Sequence, residues 1–325
     1  MYETADLQAK LKLFTYILVP ILITQVSMNL MAFFNTVISG KAGVIDLAGV
    51  AIGSSLWMPI FNSVNGIILG ITPIISHLYG AKEKSMIANK VHQGVYLSII
   101  LALLVIVGGG MVLDPVLGML DLEDEVRHIA KYYLMAIGTG IIPLFIFNTL
   151  RSFIDALGQT RISMLVMLSA LPVNLALNYI FIFGKLGMPA MGGIGAGVAT
   201  ALTYWFVCIL GVIICLRLQV FRPFRLFKHV KWPNFSDWLE QLKIGVPIGF
   251  AIFFETSIFS AVTLLMSTYS TYTIAAHQAA LNFTSLLYML PLSVGMALTI
   301  AVGFEVGGKR MEHARTYTKI GIYGG

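Results

Sequence analysis

Long apolar runs separated by short polar turns set the pattern of this chain. Eight stand out, at approximately Leu13–Ser39, Leu47–Ser76, Val91–Leu113, Ile129–Leu150, Ile162–Phe183, Gly193–Leu216, Ile244–Met266 and Ile274–Val302. Each exceeds the about 20 apolar residues that carry a helix across about 30 Å of hydrocarbon. They are too long for strands, and in a bilayer a helix satisfies its own backbone donors and acceptors. The pattern predicts an all-α integral membrane protein of eight spans. Prolines inside the runs (Pro20, Pro59, Pro73, Pro143, Pro172, Pro247 and Pro291) predict kinks, which membrane helices tolerate. The polar start, with Lys10 and Lys12, leads into a run too long for a signal-peptide core and without a small-residue cleavage site, so no cleavable leader is expected there.

Composition agrees. Hydrophobic residues make up 58% of the 325 residues and charged ones 11%, about half the charge of a water-soluble domain. The net charge of +6 has a topological placement that points away from nucleic acid. With the amino terminus taken as cytoplasmic, inner segments hold 17 of the 21 Lys and Arg, and outer ones only Lys41, Arg127, Lys131 and Lys185. This is the positive-inside bias. The acidic outer loop around Asp121, Glu123, Asp124 and Glu125 fits the same orientation. Arg217–Lys243 is the longest charged connection, its basic run serving as a topology signal or a contact for anionic lipid. Cys208 and Cys215 share one face of one span, an arrangement that predicts neither a disulfide nor a metal site.

A weak repeat runs through the chain. Pro20 and Pro247 both sit in V-P-I contexts, and Gly80 and Lys82 correspond to Gly307 and Lys309, all at an offset of 227 residues. Two hairpins related in this way predict duplicated halves. The expected organisation is an amino-terminal six-helix lobe over 1–216, a cytoplasmic linker over 217–243 and a partial second lobe over 244–325. With six spans per half, the residues after Lys319 barely begin a ninth, the expectation for a truncated twelve-span transporter.

Four segments together resemble the multidrug and toxic compound extrusion (MATE) family in its NorM-like bacterial branch. They are Leu47-AGVAIGSSLW-Met58-Pro59, Arg151-SFIDALGQTRIS, Leu171-PVNLALNYIFIFG and Ile274-AAHQAALNF-Thr284. The similarity extends from Pro20 to Lys309. It implies an exporter with two six-helix lobes that expels cationic, often aromatic compounds in exchange for H⁺ or Na⁺. Small organic cations and membrane lipids are then the expected partners, with no cofactor beyond the coupling ion. The plasma membrane is the expected location, and a monomer the expected state.

An intramembrane carboxylate is the first candidate for coupling, because a charge at mid-bilayer costs about 2.5–3.5 kcal/mol on insertion scales. Asp155 sits near a span end beside Arg151 and Arg161, an arrangement that predicts a structural ion pair, and Glu305 lies at another span end. Glu255 is deep, 12 residues past Lys243, or about 18 Å along a helix. Asn174 and Asn178 are spaced i, i+4 and share a face, while Asn35 and Thr200 fall at similar depth in their own spans. The resemblance assigns Glu255 to cation coupling and substrate binding, and Asn35, Asn174, Asn178 and Thr200 to cation coupling. It has Asp where this chain has Asn35, and an amide binds a cation but does not titrate. Amide hydrogen bonds between helices, worth about 0.6 kcal/mol each, are the alternative reading of the cluster. Gln25, Asn29 and Thr36 form one further polar stripe, and Gln278, Asn282 and Ser285 another. They either line a central cavity or join helices. Tyr288 either offers a π-face to an organic cation or is a packing or interfacial tyrosine.

Other motifs fall away. Gly303-FEVG-Gly308-Lys309 imitates a phosphate-binding loop, but Arg310 stands where that loop needs Ser or Thr and no strand precedes it. The six histidines have no metal-ligand spacing, and His277 reads as a hydrogen-bonded structural residue. An intramembrane enzyme would need a nucleophile–base pair or a metal set at depth, and the spans offer neither. A lipid-linked saccharide flippase of similar architecture would be expected to carry a strongly basic cavity, against spans without mid-membrane Lys or Arg. A non-functional antiporter fragment is a further alternative.

Overall fold

A computed structural model describes the chain apart from residues 2, 5, 227, 229, 267–270 and 325, and apart from the side chains at 260, 261, 263–279, 281, 282 and 324. Every regular element among the described residues is helical. The order is α1 (Leu7–Ala42), α2 (Val44–Leu69), α3 (Ile71–Gly80), α4 (Lys84–Met119), α5 (Asp124–Gly138), α6 (Ile141–Ala156), α7 (Thr160–Phe183), α8 (Gly193–Arg217), a 3-10 turn (Arg222–Phe224), α9 (Phe235–Met266), α10 (Thr271–Gly307) and α11 (Met311–Gly324). Among the described residues, seven helices are long and apolar enough to cross a membrane, with α2 and α3 counted together, and the bent pair α5–α6 makes an eighth.

Three boundaries differ from expectation. The run expected to form one span over Ile129–Leu150, with a kink at Pro143, bends by 50° between α5 and α6. The break falls at Thr139–Gly140 and not at Pro143, which lies in the first turn of α6, where its missing N–H leaves no intrahelical bond unmade. The linker expected to reach 243 ends at Phe235, where α9 begins. Asn234 starts this helix by accepting the Ser236 amide at 3.1 Å, and Asp237 lies in the first turn. The residues past Lys319, expected to begin a ninth span, belong to α11, which starts at Met311.

The 227-residue repeat is physical. The α3 and α10 helices end in the same cap, with Lys82 and Lys309 in left-handed backbone at φ 63° and 59°. Glu83 N–H donates to Leu78 O at 3.0 Å, and Arg310 N–H donates to Glu305 O at 2.9 Å, the long closing bond of a Schellman turn. The lysines at these helix ends also suit the negative end of the helix dipole. The capped ends then pack reciprocally. A Cβ at Gly80 would lie 1.9 Å from Phe304 O, and one at Gly307 would lie 1.9 Å from His77 O. Phe304 and His77 are again 227 apart, so the contact is a two-fold one inside a single chain. Farther along, Gly70 and Gly245 bring α2 and α9 together in the same way, a Gly70 Cβ falling 2.7 Å from Gly245 Cα.

Polar straps reinforce this basic end. Lys90 on α4 pairs with Asp237 on α9 at 2.6 Å and also with Glu240. The amino-terminal residues cross the other way. The Met1 ammonium donates to Leu157 O at 3.1 Å, Arg310 joins Glu3 at 2.9 Å to Glu305 at 2.5 Å, and Thr4 bonds the Tyr317 hydroxyl at 2.9 Å. Burial pushes the Met1 ammonium below its usual pKa.

A side chain at the two-fold contact must push backbone from backbone. Gly307→Ala should therefore cost about 1–3 kcal/mol and lower the detergent melting temperature by several degrees. Gly109→Ala on α4, where a Cβ meets nothing within 4 Å, should leave the melting temperature unchanged or raise it.

Candidate functional site

The polar residues expected to cluster in the first six spans do meet, and glycines make the meeting possible. Gly195 and Gly197 open α8 without side chains, so that Cβ atoms there would fall 2.5 Å from Phe181 O and 2.7 Å from Tyr133 O. The close approach sets Thr200 and Thr203 of α8 against α7 and α1. Asp46 of α2 fixes the start of α8 by accepting the Gly193 amide at 2.6 Å.

In this wall Asn35 Nδ2 donates to Thr200 Oγ1 at 3.1 Å, and Asn174 Nδ2 donates to Thr203 Oγ1 at 3.1 Å. Asn178 Nδ2 donates to Asn35 Oδ1 at 2.5 Å and to Asn174 Oδ1 at 2.9 Å. Thr200 and Thr203 pass their own protons to Ala196 O and Ala199 O, both at 2.8 Å. All five side chains are buried, Asn174 and Asn178 completely. One atom stands outside the network: Asn178 Oδ1 is buried without a hydrogen-bond partner. An unpaired buried amide oxygen forfeits about 1–3 kcal/mol, and a cluster of neutral oxygens with one to spare suits a hard cation. Thr203 escaped the sequence reading, although it lies one turn from Thr200 on the same face.

Glu255 occupies a different place. It is half-buried on α9, and the Tyr288 side chain of α10 lies beside its carboxylate. The next residue, Thr256, faces α2 across a cavity of about 320 Å³ that Ser54, Ser55, Met58, Pro59 and Asn62 also line. These serines and Asn62 were likewise missed, since nothing along α2 separates them from ordinary polar residues of a span. The carboxylate and the asparagine cluster thus lie in separate helix groups, α9–α10 and α1–α7–α8.

The polar stripe of α1 divides. Gln25 and Asn29 face α10, with Gln25 Nε2 at 3.8 Å from Met296 Sδ and Asn29 Nδ2 at 3.3 Å from Met289 Sδ. Thr36 bonds its own helix at Ala32 O, 3.1 Å away. Ser285 is exposed. The side chains of Gln278, Asn282 and His277 lie outside the described residues.

The remaining carboxylates are engaged structurally. Asp155 is buried between Arg151, at 3.5 Å, and the Ser163 hydroxyl. Arg161 was expected to join this pair, but its guanidinium stacks 4.0 Å from the centre of the Tyr16 ring instead. Arg151 and Asp155 are one turn apart on α6, whereas Arg161 starts the next helix and turns toward α1. Among the described residues no group of three His, Cys, Asp or Glu side chains is set to hold a metal ion.

Comparison with known proteins agrees with this architecture. The profile of the MatE family matches residues 20–180 and 247–325, two segments that start at the repeat-related prolines. A protein described as a probable multidrug resistance protein NorM from Oceanobacillus iheyensis is 62% identical over 325 residues, covering 100% of this chain and 73% of that relative. A Bacillus subtilis protein of the same description is 52% identical over 322 residues, 99% of this chain and 71% of its own length. Among solved structures, a MATE protein in complex with MaL6 superposes with a TM-score of 0.87 at 20% identity, over 96% of this chain and 68% of that one. An outward-facing MATE transporter gives 0.83 at 20% identity, over 99% and 72%. The structural likeness speaks for the fold, and with the sequence matches it shows that the chain belongs to the MatE family, in its NorM-like branch.

Proposed function

We propose that this chain acts in multidrug efflux as a cation-coupled antiporter, exporting organic cations and aromatic compounds in exchange for H⁺ or Na⁺. It does so as a monomer in the cell membrane, with its amino terminus and basic end in the cytoplasm. Residues 1–216 form the six-span lobe, 217–234 the linker and 235–325 two spans of a second, pseudo-repeated lobe, with α11 after them. The names of the NorM relatives support the drug-efflux reading, and the lysine-rich end supports the orientation.

The observation that carries the proposal is the Glu255–Tyr288 pair between α9 and α10. Antiport needs a site that holds ion or drug but not both, since a ligand without differential affinity shifts nothing. A half-buried carboxylate meets that need. Ionised, it attracts an organic cation, and the adjoining phenol ring adds a π-face. Carrying a proton or Na⁺, it releases the cation. The gradient supplies about 2.3 kcal/mol per charge per 100 mV and about 1.4 kcal/mol per pH unit. The asparagine cluster is uncharged and contributes oxygen ligands instead, so its affinity belongs to Na⁺ more than to H⁺. Access alternates as α9 and α10 rock against the first lobe, which requires the glycine contact and the straps at the basic end to part.

Glu255→Gln keeps size and hydrogen bonding but removes charge and titration. Dye efflux from energised cells should fall to the background of cells lacking the transporter, at equal protein level by immunoblot, while Glu255→Asp keeps part of it. Wild-type efflux from Glu255→Gln would refute the assignment. Asn35→Asp places an acid within the Asn174–Asn178–Thr200 network. It should steepen the pH or Na⁺ dependence of efflux, and an unchanged dependence would make the cluster purely structural.

A further inference from the structure

Among the described residues between α8 and α9, the backbone is tied down while large side chains turn outward. Phe221, Phe224 and Leu226 anchor it in the core beneath α4 and α6. The α4 helix then grips its main chain. Tyr96 donates to Lys231 O at 3.3 Å and Gln93 Nε2 to Trp232 O at 2.8 Å, while Gln93 Oε1 accepts the Asn234 amide at 2.8 Å. The Lys90–Asp237 pair, at 2.6 Å, closes the strap. On this fixed frame Trp232 is 90% exposed and Phe235 70% exposed, and Arg225, Lys228 and Lys231 are exposed beside them.

Water is a poor environment for such a surface, because a bare indole and phenyl ring gain nothing from it. Lys90 engages both Asp237 and Glu240 and compensates one of their two charges, which leaves one negative charge against the three positive ones of Arg225, Lys228 and Lys231. The connection leaves the membrane-spanning helix α8 at its last turn, where Leu216 and then Leu218 are exposed, so the strap starts at the end of a span and carries both aromatic rings and cations. Aromatic rings at headgroup depth with adjoining Lys and Arg match the chemistry of an anionic bilayer surface.

We propose that this strap is a docking surface for anionic phospholipid, with Arg225, Lys228 and Lys231 on headgroup phosphates and Trp232 and Phe235 inserted at the glycerol boundary. The proposal needs the membrane-spanning fold and is independent of the transport reading.

The test uses the intact chain in detergent, offered equal amounts of phosphatidylglycerol and phosphatidylcholine with matched acyl chains, with retained lipid read by native mass spectrometry. Wild type should retain phosphatidylglycerol over phosphatidylcholine by about tenfold or more, and R225Q/K228Q/K231Q should lose about fivefold for each charge removed until the preference disappears. The charge-conserving K228R/K231R should keep it. Equal retention of the two lipids by wild type, or an undiminished preference in the triple variant, would overturn the proposal. A second measurement leaves the basic residues intact. In liposomes, Trp232 emission, taken as wild type minus W232F, should be quenched about twofold more by brominated phosphatidylglycerol than by brominated phosphatidylcholine. Equal quenching by the two would also overturn it.

Discussion

The closest approach between the two repeated parts of this protein is backbone on backbone, and it exists only because no side chain stands in the way. Gly80 against Phe304 O and Gly307 against His77 O leave no room for a Cβ on either helix. In lipid such contacts matter more than in water, because apolar side chains gain nothing from leaving one hydrocarbon environment for another. Close packing of small residues must supply the attraction. The contact fixes where α10 lies against α3, and α9 follows through Gly245 and Gly70. The position of Glu255, and the opening between α9 and α2, depend on this one arrangement.

Two kinds of polarity then divide the work inside the spans. The asparagine and threonine side chains between α1, α7 and α8 satisfy one another and hold the first lobe together. The single unpartnered oxygen on Asn178 departs from that economy. Glu255 is the opposite case, a charged group on a half-open face with one phenol for company. A buried network with all but one oxygen paired holds its shape, and a half-open carboxylate can exchange partners. The first suits a scaffold that takes a metal ion, and the second suits a site that must let go.

Much of this was legible in the sequence, for identifiable reasons. Hydrocarbon thickness sets span length, so the spans could be read from apolar runs. Rise per residue sets depth, so Asn35, Asn174, Asn178 and Thr200 could be placed at one level before their contacts were known. The repeat was visible because its capping residues, Gly80 with Lys82 and Gly307 with Lys309, are held by identical backbone geometry. Other features had no linear signal. Apolarity hides the bend at Thr139–Gly140. The partner of Arg161 was misplaced because Tyr16 lies far away in sequence while Asp155 lies near. The Lys90–Asp237 strap joins residues 147 apart, and only the tertiary fold brings them together.

If the contact at the basic end must part for transport, a covalent bond across it stops the cycle. Gly303 and Ser76 face each other there, a Cβ at 303 falling 3.2 Å from the Ser76 Cβ, close to the span of a disulfide. Cysteines at both positions should cross-link under oxidation and halt dye efflux, with full recovery after reduction. Efflux that persists with the cross-link complete would mean that this contact never opens, and that the two repeated parts move about some other place.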